Sequence, residues 1–159
     1  MIGRFPEDVS CFLTLLSNHD VRYVIVGGEA VIYYGYPRLT GDIDLLYESS
    51  RQNVRKLYLA LSEFWNENIP GLQNEGELMQ QGTIIQFGVP PNRIDLLNEI
   101  EGVSFKEAWT HKVEVGLPHE GEDVLIHYIG LKDLIRNKKA AGRHKDLEDL
   151  KFLTRVSKW

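Results

Sequence analysis

The sequence has 159 residues, about the size of one domain, and it is 43% hydrophobic and 26% charged, as an ordinary globular protein is. Its apolar stretches are far shorter than the ~20 residues that a membrane helix needs. Its single cysteine, Cys11, excludes an internal disulfide. We therefore expect a soluble, cytoplasmic protein.

The net charge of −5 is unevenly distributed along the chain. Residues 132–159 contain nine lysines and arginines and four acids, a balance of +5, so the remaining residues carry −10. An acidic body with a basic end segment suits a site where metal ions and an anionic ligand meet. A solvated basic helix face explains the same asymmetry equally well.

Hydrophobic periodicity, caps and turn residues predict alternating helices and strands. The predicted helices cover residues 6–18, 29–34, 51–65, 104–110, 131–141 and 144–157. The predicted strands cover residues 22–26, 42–47, 83–87, 93–97, 112–115 and 124–128. The segment 66–81 is predicted as loop. This order predicts one α+β domain over 1–159, with a mixed or mostly antiparallel sheet in a core of about 20–128 and a helix pair at about 130–157.

Two acids lie two positions apart in one predicted strand, and a third lies in another. Side chains two apart along a strand point to the same face, about 6.5–7 Å apart, so Asp42 and Asp44 present neighbouring carboxylates. Carboxylates are costly among apolar residues unless their charge is compensated, and Mg²⁺ prefers such oxygen ligands. Asp-x-Asp alone is a weak signal. If the strand of Asp95 lies alongside, the three acids form a site for two metal ions.

A Gly-Gly pair, Gly27 and Gly28, follows the first predicted strand and precedes a short helix. This arrangement lets backbone N–H groups approach a phosphate. The glycine-rich patterns of dinucleotide folds and of P-loops are absent, and a lone Gly-Gly pair is more often an ordinary strand-to-helix turn.

Together these features resemble the nucleotidyltransferase superfamily that includes DNA polymerase beta. The pattern is most similar to small bacterial members of the AbiEii toxin-like and related uncharacterised nucleotidyltransferase families. The matching residues are Gly27, Gly28, Ala30, Gly35, Arg38, Thr40, Asp42, Asp44 and Leu45. The run 138–150 resembles the lysine-rich helix pair that closes these proteins, and the resemblance spans roughly residues 20–155.

The resemblance implies transfer of a nucleoside monophosphate from an NTP such as ATP to an acceptor, with release of pyrophosphate. Asp42 and Asp44 would hold two Mg²⁺ ions, and Asp95 would ligate the ion on the acceptor side. All three acids would be catalytic. The implied phosphate-binding residues are Gly27, Gly28, Arg38, Thr40, Lys138 and Arg143.

The resemblance leaves several points open. Lys139 stands next to Lys138 and competes for its role. Lys139, Lys145 and Asp146 are also expected as a salt-bridged helix surface. The acceptor could be RNA, a protein side chain or a small molecule, and a small partner protein in a toxin–antitoxin pair is a further expectation.

Two alternatives to an active enzyme remain at this stage. The first is a catalytically silent nucleotide-binding or regulatory partner on the same fold. The second is an unrelated α/β domain with coincidental acids. That domain would place the three carboxylates more than about 8 Å apart, because bridging two metals needs them clustered.

Overall fold

A six-stranded mixed sheet organises the chain. The computed structural model describes residues 5–158. The strands are β1 (Tyr23–Val26), β2 (Asp42–Tyr47), β3 (Ile84–Phe87), β4 (Arg93–Leu97), β5 (Val113–His119) and β6 (Glu122–Tyr128). Their order in the sheet is β3-β4-β2-β1-β6-β5. The helices are α1 (Glu7–Asn18), α2 (Gly27–Tyr33), α3 (Arg51–Phe64), α4 (Phe105–Thr110), α5 (Leu131–Ala141) and α6 (His144–Val156). The predicted α+β class, with helices around a mixed sheet, is confirmed.

Strands β4, β2 and β1 are neighbours in the interior of the sheet. Strand β1 pairs antiparallel with β2, while β2 and β4 run parallel. All four residues of β1 are buried, as expected for a strand that has neighbours on both edges and layers on both faces. Along β2 the apolar side chains of Ile43 and Leu45 are buried, whereas Asp42 and Asp44 are only partly buried. The predicted alternation is therefore present.

Local signals in the sequence explain the boundaries of two helices. Ser50 caps α3, where its hydroxyl accepts a hydrogen bond from the backbone N–H of Asn53. Ser104 and Glu107 form a reciprocal capping box at the start of α4.

Three local predictions need correction. Gly27 and Gly28 form the first turn of α2 and do not precede it. Strands β5 and β6 extend to His119 and from Glu122, because the hairpin closes through a tight turn at Glu120 and Gly121, both at positive φ. The segment predicted as loop contains a short 3₁₀ helix, Glu75–Met79, anchored by the fully buried Leu78.

The two C-terminal helices belong to the shared core. Leu134 of α5 and Leu153 of α6 are fully buried and join the apolar cluster of the sheet. Gly142 separates the helices in the left-handed conformation that commonly ends a helix. Among the described residues 5–158, no helix combines the length and the apolar character needed to cross a membrane.

Candidate functional site

The three predicted acids meet at one place on the sheet. Asp44 lies directly opposite Asp95 across the parallel β2–β4 pair, and Asp42 is two residues from Asp44 on the same face. One carboxylate oxygen from each acid lies within 4.8 Å of the other two. The adjacency expected for Asp95 is therefore present. A coincidental set of acids pointing apart does not describe this arrangement.

Asp44 is the acid whose charge is least compensated. Burial raises the pKa of its carboxyl to about 7, and the neighbouring charges of Asp42 and Asp95 add to the effect. The Lys145 ammonium acts in the opposite direction and lowers this pKa. Such a carboxylate gains most from a cation placed beside it.

Arg93 partly neutralises the other two acids. Its Nη2 donates to Asp42 Oδ2 at 2.6 Å and to Asp95 Oδ2 at 3.1 Å, and its Nε donates to Asp95 Oδ1 at 3.0 Å. Burial raises the pKa of Asp42, but hydrogen bonds from Arg93 and Thr40 bring it below its ordinary value. Burial and the Asp42 charge outweigh Arg93 at Asp95 and raise the pKa of that carboxyl.

The donor set fits a magnesium site. Three carboxylates converge on one face, and hard oxygen ligands at this spacing are those that Mg²⁺ prefers. Burial first, and then the charges of Asp42 and Asp95, raise the pKa of Asp44, so a cation beside this carboxyl would favour its ionised form. Asp42, Asp44 and Asp95 would hold the metal.

The two glycines lie against this acidic cluster. A Cβ atom at Gly27 would overlap the Asp44 carboxylate. A Cβ at Gly28 would lie 2.9 Å from Thr40 Oγ1 and 3.1 Å from Arg38 Nη2. The backbone of α2 therefore approaches the acids on one side and Arg38 on the other, an approach that side chains at these positions would obstruct.

Arg38 is held in place by the last helix. Its Nη2 donates to Asp149 Oδ2 at 3.0 Å. Its Nε lies 2.9 Å from Asp149 Oδ1, although that N–H is not aligned for a hydrogen bond. On the other side of the loop, Thr40 Oγ1 donates to Asp42 Oδ1 at 3.1 Å. Arg38 and Thr40 thus connect the glycine turn to α6 and to the acids.

Lys138 lies inside the protein, with 3% of its surface exposed. Its Nζ is 3.1 Å from carboxylate oxygens of both Asp146 and Asp149. Asp146 also accepts from the mostly exposed Arg143, whose Nε lies at 2.7 Å. A continuous ionic network therefore runs from Arg38 to Arg143.

Residues of this segment that shared one expectation from the sequence differ in burial. Asp146 is buried, so its expected place on a salt-bridged helix surface is wrong. Lys139 is exposed and Lys138 is not. Contact between Lys138 and a phosphate would require the ammonium to leave two carboxylates, whereas Arg143 reaches solvent in its present position.

Two residues of the site were not predicted from sequence. Arg93 is two positions before Asp95, so strand periodicity alone places it on the same face. No sequence motif, however, indicated that an arginine would lie among the candidate metal ligands. Asp149 has no sequence signal, because an acid in an amphipathic C-terminal helix is normally solvated.

A cavity of about 550 Å³ opens beside Arg38 and is lined by Tyr33, Tyr36 and Leu39 among others. Tyr33 stacks on Tyr128, and Tyr36 stacks on Phe152 at 4.8 Å between ring centroids. The tyrosine rings are therefore packed within the fold. Leu39, with 94% of its surface exposed, is the apolar residue that projects most freely at this edge.

Two solved structures are similar to this fold. A protein from Thermotoga maritima, provisionally named a nucleotidyltransferase, has a crystal structure that superposes with a TM-score of 0.53 at 15% identity, covering 92% of this chain and 90% of its own. An antigenic nucleotidyltransferase-like protein from Paracoccidioides brasiliensis gives the same TM-score and identity, covering 94% of this chain and 75% of its own. At this identity the likeness shows the fold alone.

The sequence has no significant match among curated proteins. It does match a family model over residues 7–156, which includes every candidate site residue described above. The chain belongs to the family described as "Nucleotidyltransferase of unknown function (DUF6036)".

Proposed function

We propose that the protein is a Mg²⁺-dependent nucleotidyltransferase. It moves a nucleoside monophosphate from an NTP, with ATP as the first candidate, to an acceptor hydroxyl. The observation that carries this proposal is the register of Asp44 opposite Asp95, with Asp42 alongside and the Gly27 backbone against the Asp44 carboxylate. The family membership supports the same activity.

In the transfer, an acceptor oxygen forms a bond to the α-phosphorus while the bond from that phosphorus to the bridging oxygen breaks, releasing pyrophosphate. The acceptor proton passes to Asp95 or to solvent. Bound Mg²⁺ ions, of which we expect two, would neutralise the triphosphate and lower the pKa of the acceptor hydroxyl. Asp42, Asp44 and Asp95 would hold these ions, so the protein would contribute mainly position and charge.

The remaining site residues act on the triphosphate. The N–H groups at Gly27 and Gly28 approach the phosphates, while Arg38 and Thr40 order the loop next to them. Arg143 is exposed, and Asp146 raises the pKa of its guanidinium, an effect to which the charge of the nearby Asp44 adds. In this proposal Arg143 binds the outer phosphates. For Lys138 the phosphate contact stays a prediction, and its buried ion pairs support a role in positioning Arg38 through Asp149.

The acceptor and the biological setting are part of the proposal. RNA, a protein side chain and a small molecule remain the candidate acceptors. The resemblance of the sequence pattern to the AbiEii toxin-like group motivates a further part of the proposal, a toxin–antitoxin pair with a small partner protein. Finding a small reading frame beside the gene would support that setting.

The test is incubation with α-labelled NTPs, Mg²⁺ and a cell lysate that has been separated into RNA, protein and small molecules. We expect label in one fraction with the wild-type protein and none with Asp44→Ala. Glu122→Ala, which removes an exposed acid on β6, is the matched control and keeps the activity. Equal labelling by wild type and Asp44→Ala would refute the proposal.

One observation favours the silent alternative, a nucleotide-binding or regulatory partner. Arg93 already pairs with two of the three acids that an active metal site needs for its ions. A silent protein would bind NTP by isothermal titration and label no fraction of the lysate.

A further inference from the structure

We propose that Arg93 is a built-in counter-cation that a divalent ion must displace from Asp42 and Asp95. The inference rests on the metal site of the proposed function and adds a residue that controls access to it. Three hydrogen bonds of 2.6–3.1 Å join this one guanidinium to both carboxylates. It therefore binds the same carboxylate groups that ligate a metal.

The position of Arg93 follows from the strand pairing. Arg93 is directly opposite Asp42 across the β2–β4 pair, and it shares a strand face with Asp95, two positions away. The planar guanidinium of arginine presents donors to two carboxylates at once, which the compact ammonium of lysine does less well. Arg93 is therefore suited to cross-link the two acids in the protein without metal.

Arg93 is also able to leave. Its side chain is 32% exposed, whereas that of Asp95 is 9% exposed. The guanidinium can turn toward solvent without crossing the apolar core, while the carboxylate stays in place. This asymmetry makes Arg93 the moving partner when a cation arrives.

The net charge of the acidic cluster limits how many divalent ions it can hold without nucleotide. With the acids ionised and Arg93 displaced, three carboxylates and one divalent ion leave one negative charge. A second ion leaves the cluster positive unless an anionic triphosphate enters with it. We therefore expect the protein without nucleotide to take up one ion weakly and to take up the second together with the NTP.

The experiment measures Mn²⁺ binding to the whole protein without nucleotide, by electron paramagnetic resonance of the free ion. Arg93→Gln is expected to bind Mn²⁺ about tenfold more tightly than wild type, because it removes both the competitor and its charge. Arg93→Lys keeps the charge without the planar guanidinium and is expected to lie between the two.

The control is Arg136→Gln. Arg136 also pairs with two acids, Glu107 at 2.7 Å and Asp133 at 3.3 Å, but it lies on α5 outside the acidic cluster. Its substitution is expected to leave Mn²⁺ binding unchanged. A change equal to that of Arg93→Gln would overturn the inference, since a general loss of positive charge would then explain the effect.

A thermal-shift series covers the case in which Arg93→Gln is unstable without metal. Removing Arg93 leaves the acids repelling one another, so Mn²⁺ is expected to raise the melting temperature of this variant by more than it raises that of wild type. An equal or smaller rise in the melting temperature of Arg93→Gln would overturn the inference. Equal or weaker Mn²⁺ affinity of Arg93→Gln would do the same, because Arg93 would then orient the metal ligands and not compete with the metal.

The outcomes separate the inference from the proposed function. Transfer of label that depends on Asp44, together with equal Mn²⁺ affinity in wild type and Arg93→Gln, overturns the inference alone. If neither protein binds Mn²⁺, the inference and the metal site fall together.

Discussion

Gly27 is the residue where backbone conformation and site chemistry meet. Its φ of 65° lies in the left-handed region, which residues other than glycine adopt at a cost of about 1–3 kcal/mol. The space where a Cβ would stand is taken by the Asp44 carboxylate. Glycine at this position therefore serves two ends, the sharp entry into α2 and the close approach of its backbone to the acid.

We predict that Gly27→Ala weakens Mn²⁺ binding and nucleotidyl transfer because it displaces Asp44. Gly71→Ala is the matched control, since Gly71 has a similar φ of 75° and no atom within 4 Å of the added Cβ. Urea unfolding is expected to show a loss of about 1–3 kcal/mol for both variants. Mn²⁺ titration is expected to show weaker binding only for Gly27→Ala. Unchanged Mn²⁺ affinity in Gly27→Ala would contradict this account.

At the scale of elements, the sequence predicted the parts of the site that follow from spacing along one strand. Asp42 and Asp44 share a face by periodicity alone, and the same rule covers Arg93 and Asp95. The expectation that the Asp95 strand lies beside that of Asp42 and Asp44 came from the family resemblance, because no local signal fixes which strands become neighbours. The parallel direction of the β2–β4 pair was not predicted.

The ionic network of the last two helices could not be predicted for a different reason. Whether an acid in an amphipathic helix is solvated or buried depends on what packs against it, and Asp146 and Asp149 are covered by tertiary structure. Their burial fixes Lys138 and, through Asp149, Arg38. Helix α6 thus orients a residue of the glycine-turn region from the far end of the chain.

We predict that Lys138→Met destabilises the protein by about 3–5 kcal/mol, because it leaves two buried carboxylates without a shared cation. Its neighbour on the sequence is the control: Lys139→Met changes an exposed side chain and is expected to stay within about 0.5 kcal/mol of wild type. The measurement is urea unfolding followed by circular dichroism. Equal stability of the two variants would show that the buried network contributes nothing.

At the scale of the whole molecule, the elements share one apolar cluster. It includes the strands of the sheet centre, α1 and α3, and the fully buried Leu134 and Leu153 of the C-terminal helices. The ion pair between Arg38 and Asp149 of α6 adds a polar link between the C-terminal helices and the rest of the protein. A chain connected in this way is expected to unfold as one unit, in keeping with the single domain predicted from its length.

We predict coincident unfolding transitions at distant positions in metal-free buffer. Trp65 packs against Phe87 of β3, and Trp109 packs against His127 of β6, so the two indoles report on different parts of the sheet. The double variants Trp65→Phe/Trp159→Phe and Trp109→Phe/Trp159→Phe each keep one of the three tryptophans. Their urea midpoints from fluorescence are each expected to match the far-ultraviolet circular dichroism midpoint of the same variant. Comparing probes within one variant removes the cost of the substitution itself.

Separate unfolding of the C-terminal helices would give a different pattern. Circular dichroism would then lose helical signal at lower urea than either tryptophan, because neither Trp65 nor Trp109 lies on α5 or α6. That result would contradict the single cooperative unit, and it would allow the helix pair to detach while the acids stay in register. Coincident midpoints mean that Arg38 loses its Asp149 anchor only when Asp44 and Asp95 also separate, so the phosphate-facing and metal-binding halves of the site form and fail together.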